Sequence, residues 1–121
     1  MAGIAAKKFS NPDETRQFAG KGYMDIVKVE GVTVGRGTFE PGWRWSVNVK
    51  PIVGTESCQA AHVGYMVSGR MAVKMDDGTE AEAGPGEVVV IAPGHDAWIV
   101  GNETCVLLDF GASVGQYAKS S

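Results

Sequence analysis

After Gly22 the chain settles into short stretches in which apolar and polar residues alternate, each bounded by glycine or proline. YMDIVKV (23–29), VTVGRGTF (32–39) and WRWSVNV (43–49) are rich in β-branched and aromatic residues, which suit a pleated, half-buried surface. In the third, Trp43, Trp45, Val47 and Val49 fall on one side and Arg44, Ser46 and Asn48 on the other, so a strand with one buried face is expected. The rhythm continues through HVGYMVSG (62–69), RMAVKMDDGTEAEA (70–83), EVVVIAPG (87–94), DAWIVG (96–101) and TCVLLDFG (104–111). Asp77-Gly78 supplies the positive-φ pair of a tight hairpin and makes 71–75 and 79–83 antiparallel neighbours. No long helix fits between these strands, so the pattern predicts an all-β sandwich or barrel. Residues 1–22 read as an N-terminal arm ahead of a barrel domain at 23–121. Within the arm, NPDETRQF (11–18) predicts one helical turn with Asn11 as cap and Pro12 at its first position.

Composition narrows the function classes. With 121 residues the chain supports one domain, and 17 glycines favour many turns over long helices. The net charge of −3 is spread among interspersed acids and bases, with no basic stripe for phosphates, so nucleic acid is not an expected partner. The first residues, MAGIAAKKFSNPDETR, lack the apolar core of a secretion signal, and no run approaches the ~20 apolar residues of a membrane span. A cytoplasmic protein without membrane contact is expected. Cys58 and Cys105 are too few for a disulfide framework and are expected as thiols. Two histidines and no G-x-S-x-G elbow exclude a serine hydrolase, and no phosphate-binding glycine loop precedes a helix.

The candidate chemistry lies in two segments. HVGYMVSG places His62 at the head of an apolar strand that stops at Gly69, and GPGEVVVIAPGHDAW (84–98) carries Gly86, an apolar strand, the Pro93-Gly94 turn and then His95. In this order and separated by a hairpin, the two resemble the paired signatures of the cupin family, and the likeness runs from Pro41 to Phe110. The resemblance implies a double-stranded β-helix, or jelly roll, that pairs as a homodimer through its N-terminal strands. It also implies a metal site of histidines and a glutamate facing the barrel interior. By position, His62 takes the place of the glutamate, and Glu56 and Cys58 take those of the first two histidines. The last histidine would fall on Ala97, whereas His95 stands two residues earlier. Trp45 or Asn48 is an alternative occupant of the place given to Cys58.

Glu56, Cys58 and His62 are all even-numbered, so an unbroken strand would send them to one face. Two imidazoles suit zinc, iron, nickel, copper or manganese, and a thiolate shifts preference toward zinc or copper. Each residue also has a plainer reading. His62 can hydrogen-bond inside a metal-free barrel and His95 can cap its turn. Cys58 can be a small buried apolar residue, since no basic neighbour in sequence lowers its pKa, and Asp109 reads equally as a surface carboxylate. Trp45 and Met66 are the candidate ligand-binding residues, one as a flat ring and the other as a cavity wall. Two functions remain open: a metal-dependent enzyme of dioxygenase, isomerase or decarboxylase type acting on a small organic molecule, or a metal-free module that binds one.

Overall fold

The structure, a computed structural model, describes residues 3–111, 114 and 117–119. Among the described residues nine strands form two antiparallel sheets: β1 (Glu14–Gln17), β2 (Gly22–Val29), β3 (Val32–Phe39), β4 (His62–Ser68), β5 (Met71–Met75), β6 (Glu80–Ala83), β7 (Val88–Ile91), β8 (His95–Ile99) and β9 (Cys105–Asp109). The larger sheet runs β1-β2-β3-β9-β4-β7 and the smaller β6-β5-β8, so consecutive strands repeatedly cross between sheets in jelly-roll fashion. Between them lies a core to which Met24, Ile26, Phe39, Met66 and Leu107 project from one sheet and Met71, Ala97 and Ile99 from the other. No helix among the described residues is long and apolar enough to cross a membrane.

The turns follow their residues. Glu30 and Gly31 both take positive φ between Val29 and Val32, the two-residue geometry that matches strand twist. Gly78 (φ +95) closes the Asp77-Gly78 hairpin, with the Met75 amide donating to the Thr79 carbonyl at 2.8 Å.

Residues 43–49 do not form the expected strand. After Trp43, the chain turns into two short helices, α1 (Trp45–Asn48) and α2 (Lys50–Val53). Trp45, Asn48 and Val49 are buried while Val47 is 60% exposed, which is the i, i+3, i+4 pattern of a helix and not the alternation of a strand. Side chains supply what the backbone of so short a helix lacks. Asp96 accepts from the Ser46 amide (3.1 Å), the Ser46 hydroxyl (3.0 Å) and Arg44 Nε (3.1 Å), and Asn48 Oδ1 accepts from the Arg44 amide (2.9 Å). Pro51 opens α2 and Gly54, at φ +78, closes it. The smaller sheet therefore has three strands, and segment 43–61 meets β8 through two isolated bridges, Arg44 to Trp98 and Cys58 to His95, and through the Asp96 contacts of α1, without a further strand.

The helical turn expected at 11–18 is likewise replaced by strand. Glu14–Gln17 pairs with β2 from Ile26 to Tyr23, the Asp13 amide donates to the Ile26 carbonyl and Asp13 Oδ2 accepts from the Lys28 amide. A sheet edge thus satisfies more of this segment's backbone than one isolated helical turn could. Phe18 follows into the core, stacked on Phe39 at 5.4 Å and tilted against Trp43 at 5.8 Å. On the outer face of β4 and β7, Val63, Tyr65, Val67, Val88 and Val90 are exposed, so these strands are apolar on both sides.

Gly22 cannot carry a side chain. Its φ is +139, and a Cβ there would sit 2.0 Å from the Thr38 carbonyl oxygen. Gly22→Ala is expected to cost about 3 kcal/mol of unfolding free energy, whereas Gly31→Ala, at φ +80 in open space, costs about 1 kcal/mol. Urea denaturation of the two variants beside the parent checks the difference.

Candidate metal centre

Three segments bring Cys58, His62 and His95 to one point, all three buried, with one ligand atom from each lying within 4.8 Å of the others. His62 opens β4 opposite Ile91, and His95 opens β8 opposite Met75. Cys58 comes from the loop after α2. It is held by backbone, its amide donating to the His95 carbonyl (2.7 Å) and its carbonyl accepting from the Gly94 amide (2.7 Å). Ser57 braces the loop by donating from its hydroxyl to Asp76 Oδ2 at 2.9 Å.

Each imidazole has one nitrogen committed elsewhere. His62 Nδ1 donates to Asp109 Oδ2 at 2.5 Å, and His95 Nδ1 donates to the Ala92 carbonyl at 2.8 Å. Both Nε2 atoms are left for the cluster, and that of His62 lies 3.8 Å from Cys58 Sγ. A carboxylate or carbonyl behind a ring is the usual way proteins fix the tautomer and aim of a metal-binding histidine. Asp109 itself is buried, and its Oδ1 accepts from the Gly111 amide at 2.9 Å. Tyr117 packs edge-on against His62, ring centroids 5.1 Å apart, and burial pushes its phenol far above the ordinary range, so it stays protonated.

Burial opposes charge on Cys58, but hydrogen bonds to His62 and His95 and the charge of those rings outweigh it and bring the thiol down to about 7. Burial also opposes charge on His62, and there Asp109 first and Cys58 second raise the ring to about 9. Between those values a thiolate faces an imidazolium backed by a carboxylate. Cys105, buried and near Glu103, is pushed up to about 12.

The donor set fits a transition ion. Around a four-coordinate ion with bonds of ~2.0–2.3 Å, ligand atoms stand ~3.5 Å apart, close to the 3.8 Å found between Cys58 and His62. One thiolate and two imidazoles are a soft set that suits zinc or copper better than manganese. The rings also border a cavity of about 20 Å³ walled by Trp43, Trp45, Asp109 and Tyr117, enough for one water-sized ligand. On that wall the buried Trp43 Nε1 has no acceptor among the described residues.

The other sequence candidates fall in different places. Glu56 does not join the cluster: its side chain is 98% exposed and lies 3.3 Å from Lys50. No strand runs through 54–61, so shared parity does not apply, and Cys58 reaches the interior through its bridge to His95 instead. Asn48 is consumed by the Arg44 amide and the Ala19 carbonyl. Ala97 lines the small cavity without offering a ligand atom, as does Trp45 on α1. Met66, buried on β4, lines a second, larger cavity. Asp109 and Tyr117 were not singled out as site residues by the sequence. For Asp109 a signal existed, because it alternates inward with Cys105 and Leu107.

No family model matches the chain, and no curated protein matches it. Solved structures do. A protein of unknown function from Rhizobium leguminosarum bv. viciae is 20% identical over 89% of this chain and 97% of its own, with a TM-score of 0.61. An RmlC-like cupin from Shewanella frigidimarina is 15% identical over 84% and 86% of the two chains, TM-score 0.55. A Bacillus subtilis oxalate decarboxylase variant is 19% identical over 87% of this chain but 28% of its own, TM-score 0.60. The chain has the cupin fold.

In metal-free protein, the ultraviolet thiolate absorbance of one cysteine is expected to rise with a midpoint near pH 7 and to vanish in Cys58→Ser, while Cys105 stays protonated to about 12. Asp109→Asn removes the first support of the His62 charge, so the ring's pKa falls and the Cys58 midpoint moves up. Titration of absorbance and of imidazole proton resonances reads both shifts.

Proposed function

We propose that the protein is a metal-dependent cupin enzyme acting on a small organic molecule, with one transition ion held by Cys58, His62 and His95. The observation that carries this is the commitment of both Nδ1 atoms to acceptors, which leaves two Nε2 atoms and a thiol of lowered pKa converging on one point. A bound divalent ion supplies a Lewis acid and lowers the pKa of a coordinated water. The protein's own residues do the rest. Asp109 fixes the His62 tautomer, the loop at 54–61 presents the thiolate, and the aromatic wall excludes bulk water. The small cavity accommodates a water or one reacting atom beside the trio, so the body of a substrate must lie elsewhere.

A second reading has its own support. In the chain Cys58–His62–Asp109 one imidazolium stands between a thiolate and a carboxylate and is hydrogen-bonded to both without any ion, which suits a metal-free binding module. Elemental analysis of untagged protein separates the two. The metal reading expects about one zinc or copper per chain. Loss of the ion is expected in Cys58→Ser, His62→Ala and His95→Ala, with full retention in Glu56→Gln. Asp109→Asn is expected to weaken affinity by roughly ten- to a hundredfold. Protein that neither carries nor takes up either ion leaves the metal-free reading standing.

A further inference from the structure

Beside the small cavity lies a larger one of about 430 Å³, open along the gap between β6 and β7, the edges where the two sheets fail to meet. Its volume falls in the range of small-molecule sites. The floor and walls are apolar and rich in methionine, with Met66, Met71, Val73 and Met75 facing Val89 and Leu107. Methionines adapt their shape to varied apolar ligands. Met71, Ile91 and Leu107 border both cavities, so the cleft abuts the chamber of the two histidines.

Charge on the lining is of one sign. Glu80, Glu82 and Glu87 stand along it, and among the described residues neither cavity is lined by any lysine or arginine. Glu82 accepts from Arg70 Nε and Glu87 from the Gly84 amide, while Glu80 is exposed. A carboxylate or phosphate lodged in the cleft itself would lose its hydration with no lysine or arginine on the described lining to pair it, and would pass three carboxylates. We propose that the cleft between β6 and β7 is the substrate's binding site and that it takes an uncharged, apolar small molecule and rejects anions. This rests on the reading of Cys58, His62 and His95 as the metal centre, which gives the cleft its reacting end. Among the described residues, Thr79 at the cleft's edge is the one uncharged polar side chain on its wall.

Two probes of one skeleton test it: phenylnaphthylamine, which is uncharged, and anilinonaphthalene sulfonate, which carries a negative charge. The uncharged probe is expected to bind at least tenfold more tightly, read by fluorescence enhancement. Ala81 pairs with Val73 and lines the cleft from an exposed position, so it tolerates change. Ala81→Trp fills the space and is expected to weaken the uncharged probe at least tenfold, while Ala81→Lys gives the anion a partner and narrows the preference. Equal binding of both probes, or binding of the uncharged probe indifferent to Ala81→Trp, overturns the proposal. Each titration is run with and without cobalt, followed by thiolate-to-metal absorbance. Cobalt bound but probe rejected defeats the cleft alone. Selective probe binding that responds to Ala81, in protein that takes up no cobalt, supports the cleft and defeats the metal centre.

Discussion

A carboxylate sealed from water must find compensation within the protein, and Asp109 finds it in the His62 ring and the Gly111 amide. From that requirement the geometry of the centre follows in sequence. Asp109 fixes which His62 nitrogen carries a proton toward it, the other nitrogen then faces Cys58, and the thiol beside it loses its proton more readily. The ring that Asp109 orients lies on β4, the strand next to its own, where Gly64 pairs with Asp109 and a Cβ would meet the Leu108 carbonyl at 2.5 Å. A glycine in that place lets the two strands lie close enough for the pair to form.

The jelly roll supplies two rigid strand ends for the histidines, while the third donor depends on an irregularity. A regular fourth strand beside β8 would continue the smaller sheet. Instead α1 and α2 take up the chain, and it returns to β8 only at Cys58. Asp96 is the hinge of this arrangement, since one carboxylate on β8 satisfies the start of α1 while its neighbour His95 turns inward. Similarity to solved structures at 20% identity or less fixes the fold, and the chemistry of the trio has to be argued from these side chains themselves.

Much of this was legible in the sequence. Alternation and turn glycines gave the strands from Gly22 to Asp109, because a strand with one wet face must alternate. The segment 43–49 misled because Trp43, Trp45, Val47 and Val49 also alternate, and only the neighbours of Asn48 and the distant Asp96 reveal a helix there. Cys58 and His62 were paired by the parity of a strand that does not exist, and Glu56 was drawn in by the same reasoning. The effect of the histidines on the thiol was invisible for a related reason: its polar neighbours are adjacent in space, four and thirty-seven positions away in the chain. Tyr117 stands in YAKSS (117–121), where no apolar periodicity marks an inward side chain.

The valines that β7 shows to both faces have a bearing on folding fidelity. In a strand reading Val-Val-Val-Ile, a slip by one position exchanges valine for valine, so inside-outside preference discriminates weakly between alignments. Alignment must then be imposed from the strand's ends. At one end Gly86 donates to the Met66 carbonyl and Glu87 receives the Met66 amide; at the other the Gly94 amide is tied to Cys58 and its carbonyl to Asp76. The loop that presents the thiol is thereby also a ratchet tooth for the neighbouring hairpin, and a chain mispaired there would misplace His95.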